Sequence, residues 1–340
     1  FTNNLGTVGN SGLIDGNFYS APGVLEQVKI TNSEFTQNVI DHEAIDNGSN
    51  ITISGNSFTD SGSGSVYISG KNSTTTNNIF TNVNSAWGSA AIRLQAEGNS
   101  TTTSDHHLVS NNLFKNTSGS GIQAWSASQG ISTITITNNT LIGNTHYGIK
   151  IYPGAGSPNS IINITHNNIV DNHRGGIYIR HEVSSINVRY NKIHNNNNTN
   201  NSEDHGTAIH ARYGDKTLIE HNTITGGDGV CPGCATTDTA LVYIYQGYPT
   251  FRYNNFIRDT ETYLFTDNTV ANSTSTNTYT LGPNWWGTTD STNFDALIYD
   301  WNDNATKELV DYSSFLTAPN TTAPPAPPTN AAGQTGTTSI

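Results

Sequence analysis

Residues 160–172 read SIINITHNNIVDN, and the position of asparagine in this stretch decides the fold. Ile162 and Ile164 alternate with polar residues, the two-residue period of a strand with one buried face. Asn167 then interrupts the alternation, and Ile169 resumes it. A lone asparagine would mark only a turn. The same phrase returns along the chain, however, as one apolar residue, one polar, one apolar, two polar, Asn, any residue, then a large apolar residue.

The phrase is legible in ITISGNSF (Ile51–Phe58), HLVSNNLF (His107–Phe114), ITITNNTL (Ile134–Leu141) and INITHNNI (Ile162–Ile169). It continues in INVRYNKI (Ile186–Ile193), TLIEHNTI (Thr217–Ile224), PTFRYNNF (Pro249–Phe256) and YTLGPNWW (Tyr279–Trp286). Weaker copies are VKITNSEF (Val28–Phe35), with Ser33 at the Asn position, and STTTNNIF (Ser73–Phe80). The anchors Asn56, Asn78, Asn112, Asn139, Asn167, Asn191, Asn222, Asn254 and Asn284 lie 22 to 34 residues apart. Between most of them falls a second short apolar phrase, such as YGIKIY, GGIYIR, TAIHAR or ALVYIY. Each period therefore holds two or three short strands and no helix signal, which predicts a solenoid whose turns bury their core against one another.

From about Val28 to Trp286 this pattern resembles the right-handed parallel β-helix repeat proteins of the pectin-lyase-like superfamily, and GPNWWGT resembles the last coil of many extracellular members. The resemblance implies an all-β right-handed parallel β-helix of about ten coils. It also implies inward asparagines stacked from coil to coil. The chemistry agrees, because an Asn amide carries both donor and acceptor and can serve a corner backbone and its own copy above. The expected organisation is a β-helix over 1–290, a short helical cap over 291–317 and a Pro/Thr/Ala-rich extended tail over 318–340. In the cap, Thr292 and Asp295 suggest a capping box, with Phe294, Leu297, Ile298 and Trp301 at helical spacing and Lys307 to Phe315 extending the cover.

Only 12% of residues are charged and the net charge is −12. That balance argues against nucleic acid, whose phosphates need Lys and Arg. No apolar run approaches the roughly 20 residues that span a bilayer. The chain begins at Phe1 and contains no Met, which leads to the expectation of a processed, secreted product, extracellular or on a cell surface. In GVCPGCAT, a redox motif would need a βαβ setting and a zinc site two more ligands. A loop-pinning disulfide between Cys231 and Cys234 is the expectation, with free thiols as the alternative and no metal. Asn-x-Ser/Thr sequons are as frequent as the composition alone would produce. Asn99, Asn200 and Asn272, on wide loops, are the accessible ones.

Stacking in register turns outward residues into columns about 4.8 Å apart per coil. One column reads Tyr67, Arg93, Gln123, Lys150, Tyr178, His210, Tyr243; two positions on come Ser69, Gln95, Trp125, Tyr152, Arg180, Arg212, Tyr245. Sugar rings stack on aromatic faces and Arg grips carboxylates bidentately, so Trp125, Lys150, Tyr152, Tyr178, Arg180, Arg212, Tyr243 and Tyr245 are the candidate glycan contacts. The bland alternative is that such residues are good exposed strand formers.

His146, His173, His181, His205 and His210 gather nearby, with Asp171, Glu182, Glu203 and Asp204. Resemblance to polysaccharide lyases would cast Arg180 or Arg212 as base, beside His210 and Asp204, with calcium as a possible cofactor. Polygalacturonase-type hydrolases would need an Asp–Asp pair near Gly-His-Gly. Here Glu203-Asp204-His205-Gly206 stands instead, and Asp41-His42-Glu43 lacks the proline of the alginate epimerase Asp-Pro-His-Glu. No catalytic residue or cofactor follows from these broken motifs. FTNN at Phe1 resembles the tail of a repeat, so the chain opens inside a coil with an edge that invites head-to-tail self-association, and hence a filament subunit. An ordered Pro-rich tail would point the same way, to a neighbouring copy holding it.

Overall fold

The computed structural model describes residues 25–26, 28–36, 43–60, 66–84, 90–96, 104–126, 131–152, 160–180, 185–196, 207–226, 240–258, 263–267 and 278–326. Every strand pairing among them is parallel, and each coil lies over the next in register, with one shift between Ile45 and Gly48: Ile134, Ile162 and Ile186 pair in a column, as do Ile136, Ile164 and Val188. Three sheets result. The second apolar phrase makes the first sheet, through strands such as Tyr147–Ile151, Gly175–Arg180, Thr207–Arg212 and Ala240–Tyr245. The segment before the anchor Asn makes the second, and the three residues after it make a third of nine short strands. Two long strands, Glu43–Ser54 and Val66–Thr76, turn the corner and knit the first two sheets together.

The strand stops at asparagine because the chain turns there twice. The residue before each anchor from Asn56 to Asn254 has positive φ, as at Asn77, Asn111 and Asn138, and so does the residue four beyond each anchor from Asn56 to Asn222, as at Asp60, Asn82 and Asn116. Asn and Asp tolerate that left-handed conformation better than other side chains do. The anchor itself points inward and is buried in every coil from Asn56 to Asn284. Asn167 shows the pattern. Its Nδ2 donates to the carbonyls of Ile136 and Thr165 and to Asn191 Oδ1, while its Oδ1 accepts from the backbone N–H and Nδ2 of Asn139. The chain of amides runs unbroken from Asn56 to Asn284, and Ser33, at the Asn position of the first described coil, donates its backbone N–H to Asn56 Oδ1.

A second, shorter ladder was not anticipated. Asn144, Asn172 and Asn196 stack at the far end of the third sheet, headed by Thr117, whose hydroxyl donates to Asn144 Oδ1. Each stands five residues after a main-ladder anchor, so the signal was the fixed offset rather than the residue. Beside the amides, Phe35, Phe58, Phe80 and Phe114 stack face to face with centroids 4.6 to 4.9 Å apart, and Phe256 on Trp286 repeats the contact near the end.

The C-terminal cover differs from the expected helix. Residues 291–297 form two 3₁₀ turns, Ser291–Asn293 and Asp295–Leu297, and the cap is Asp290, whose carboxylate accepts from the Thr292 N–H and hydroxyl. A run of Asp, Ser, Thr and Asn bonds to its own backbone in preference to a continuous helix. Phe294 and Ile298 are buried as the spacing implied, but Trp301 is 49% exposed. Lys307 to Phe315 does extend the cover, through Leu309–Asp311 paired to Thr278–Thr280. The start of the tail packs on its own solenoid. Asn320 exchanges two hydrogen bonds with the Asn255 side chain, the Thr223 hydroxyl donates to the Pro324 carbonyl, and Ala323 is buried. The first residues at Phe1, and with them the open-coil expectation, lie outside the described residues.

His107 occupies an interior position that Ile134 fills in the next coil. It is 2% exposed, with Nδ1 on Ser73 Oγ at 2.8 Å and no partner for Nε2. Burial, with His106 adding repulsion, pushes its pKa from 6.5 down to about 4. The folded state therefore holds a neutral imidazole where the unfolded chain takes up a proton. Stability is intact above about pH 6.5 and falls as pH drops toward 4, by about 3 kcal/mol in all. His107→Ile is expected to abolish that component in denaturation curves recorded across this range. In the ladder, Asn167→Ala leaves buried donors and acceptors in three coils without partners. It is expected to cost on the order of 3 kcal/mol or more, against about 1 kcal/mol for Asn138→Ala at the exposed turn beside it, read from denaturation midpoints.

Candidate functional site

The first sheet aligns the two columns as anticipated. Lys150 pairs with Tyr178, Tyr178 with His210 and His210 with Tyr243; two positions on, Trp125 pairs with Gln95, Arg180 with Arg212 and Arg212 with Tyr245. Their environments differ, though. Tyr178, His210 and Tyr243 are buried, Tyr243 to 2% exposure. Tyr178 stacks on Tyr147 at 4.9 Å and meets the His210 ring edge-on at 4.8 Å, and His210 meets Tyr243 at 5.1 Å. Tyr178 and Tyr243 are thus corrected from contact residues to the floor beneath the surface. Large rings on neighbouring strands bury one another when stacking repeats at strand spacing.

The half-exposed second column makes the surface. The Arg180 guanidinium carbon lies 4.7 Å from the Tyr152 ring centroid, and that of Arg212 lies 4.8 Å from Tyr245 and 5.3 Å from Tyr213. Lys150 Nζ sits 5.7 Å from the Tyr152 centroid and 5.9 Å from that of Tyr178. Among the described residues no carboxylate pairs with Arg180 or Arg212. The ion pairs there join Glu220 to Arg189 and Arg252 instead, at 2.9 and 2.6 Å. Arg180 and Arg212 are thus neighbours in register on adjacent strands, each turning its guanidinium to the ring on its outer side, Tyr152 and Tyr245. Burial pulls the Arg212 pKa down, but hydrogen bonding and charge coupling with Tyr213 and Tyr178 outweigh it and hold the group above its ordinary value.

The remaining candidates do not assemble into one centre. Asp171 is a corner residue accepting a 2.6 Å hydrogen bond from Asn195, away from His210 on the first sheet. His181, Glu182, Glu203, Asp204 and His205 lie outside the described residues, as do Asp41, His42, Cys231, Cys234, Asn99, Asn200 and Asn272. The side chains of Trp125 and Glu43 also lie outside them. Among the described residues, no three His, Cys, Asp or Glu side chains group as a metal site, and no helix is long and apolar enough to cross a membrane. Sequence reasoning missed Tyr147, which opens the phrase YGIKIY ahead of its two column positions, and Tyr213, which follows TAIHAR.

The model of the family described as the right handed beta helix region matches residues 23–193 and 132–296. The chain therefore belongs to the right-handed β-helix family, and its sheets wind in that sense. No curated protein and no solved structure matches it.

If Tyr178 is floor rather than contact, Tyr178→Ala is expected to destabilise the fold by about 3 kcal/mol, the cost of emptying a buried aromatic site, as measured by chemical denaturation.

Proposed function

We propose that this solenoid is an extracellular or cell-surface protein that binds an acidic polysaccharide along its first sheet. The observation that carries the reading is the Arg180–Arg212 pair: two adjacent cations without a described carboxylate, framed by Tyr152 and Tyr245, on a chain of net charge −12. Guanidiniums are weakly hydrated planar forks that grip carboxylates or sulfates bidentately, and the flanking rings offer apolar faces to sugar. Successive coils repeat these contacts along the solenoid axis, which suits an extended polymer better than a small ligand. Binding is favoured over lyase chemistry because a base must shed its proton, which an arginine guanidinium keeps in proteins. Self-association into filaments draws no support from the described start of the tail, where Asn320 bonds to Asn255 of its own chain.

Arg180→Ala and Arg212→Ala are each expected to weaken binding to a polyuronate by about 10-fold or more, on the scale of one lost charge-assisted contact. Binding should also fall with added salt. Titration calorimetry on a panel of uronate-bearing, sulfated and neutral glycans measures this. Failure of every polyanionic glycan to bind, or undiminished binding by the double variant, overturns the reading. Release of unsaturated uronates or new reducing ends would change it to a polysaccharide lyase or hydrolase.

A further inference from the structure

The corner between the second and third sheets carries a feature that glycan binding does not use. In the coils of Asn56 to Asn139 the residue before the anchor is Gly55, Asn77, Asn111 or Asn138, small or amide side chains suited to positive φ. In the next four coils it is His166, Tyr190, His221 and Tyr253, with φ of 57°, 57°, 55° and 58°. Bulky rings are strained there, and such strain gathers where a surface has a task. The four rings stack in sequence, with centroids 5.2, 5.2 and 5.3 Å apart and interplanar angles of 21°, 14° and 16°.

Residues 317–324 pack beside the last two of these positions, reaching the His221 ring and the Tyr253 carbonyl. The Asn320 backbone donates to Asn255 Oδ1 at 2.7 Å and accepts from its Nδ2 at 3.0 Å. The Asn320 side chain is fixed in orientation by two partners with only one possible role each. The Thr322 backbone N–H, which can only donate, lies 3.0 Å from Oδ1; the Tyr253 carbonyl, which can only accept, faces Nδ2. The second Nδ2 proton is then left for His221 Nδ1, 2.9 Å away. Thr322 Oγ1 stands 2.7 Å from the same nitrogen, its single proton shared between that contact and Asn320 Oδ1 at 2.8 Å. Since an amide N–H cannot accept, Nδ1 must carry a lone pair, and His221 is neutral with its proton on Nε2.

We propose that residues 317–324 form an acid-released latch, docked while His221 is neutral and displaced when Nδ1 takes up a proton from solvent. Protonation sets one N–H against another across 2.9 Å and removes the acceptor that the Asn320 amide needs. Thr322 Oγ1 can turn a lone pair to the new N–H by giving its proton to Asn320 Oδ1. The Asn320 amide still loses its acceptor and faces a cation, and TAPNTTAP contains no ionisable side chain to hold an imidazolium. On the neighbouring coils His221 faces the rings of Tyr190 and Tyr253, with His166 beyond Tyr190. The adjacent charges are Glu220 on its own strand and Arg189 and Arg252 on the coils either side. Glu220 is already shared between those two arginines and is not free to stabilise the new cation. Release uncovers the Asn255 and Thr223 side chains and the His221 ring.

Hydrogen exchange on the full chain tests this at about pH 7.5 and about pH 5, either side of the range in which imidazoles titrate, with rates corrected for intrinsic chemistry. The reporters are the Asn320 and Thr322 amides, and the ladder amide of Asn254 is the internal reference for global opening, including any caused by His107. Latch protection is expected to fall at least about 10-fold relative to Asn254 on acidification. In His221→Asn, whose side chain suits positive φ and does not titrate, latch protection is expected to be the same at both pH values; its Asn254 protection reports that the solenoid is intact. Equal latch protection at both pH values in the wild type, or the same pH dependence in His221→Asn, overturns the proposal.

Discussion

The side-chain amide of an inward asparagine is the constraint on which this molecule depends. A coil that turns a corner leaves backbone carbonyls and N–H groups facing a dry interior, where an unpaired group costs on the order of 1–3 kcal/mol. Asparagine answers with two donors and an acceptor on a short stem, and it is also a residue that the adjacent left-handed turns tolerate. Because Oδ1 of one coil accepts from the backbone and amide of the coil before, each corner locks its neighbour. A one-residue slip would break both bonds and turn the apolar set outward. Parallel register from Ser33 to Asn284 follows from that coupling.

Register then makes surfaces. Once coils superpose, a residue type repeated at one strand position becomes a column, and its neighbours along the column decide its character. Tyr178, His210 and Tyr243 repeat as rings and bury one another. Arg180 and Arg212 repeat as cations, cannot satisfy one another, and turn to the rings of Tyr152 and Tyr245. The same stacking rule thus produces a closed floor at one position and, two residues away, an electropositive strip that no described carboxylate neutralises. The corner rings from His166 to Tyr253 are a third instance, on strained backbone, where the chain's own C-terminal segment supplies the contact.

The fold was readable because the phrase around Asn167 encodes strand, corner and partner in eight residues and recurs with little change. The site was readable only to the level of columns. Period-2 alternation says which residues share a face, but not that Tyr178 and Tyr243 would be covered while Arg180 and Arg212 stay half-exposed. The second ladder of Asn144, Asn172 and Asn196 was present as a constant five-residue offset, hidden by the number of other asparagines. The expected helix after Trp286 became two short turns, because apolar spacing carries no information about side chains that compete for the backbone.

By itself the sequence determined the parallel coil, its register and the identity of the inward amides, since these depend on local periodicity repeated many times over. Tertiary structure alone decided which outward residues are floor and which are surface, that Asn320 and Thr322 meet His221 about a hundred residues away, and that an imidazole at 107 stands in an isoleucine's place without a second partner. Those outcomes depend on contacts between coils and across the chain's far end. Such contacts are set by the distance between elements in space, which no local pattern of residues records.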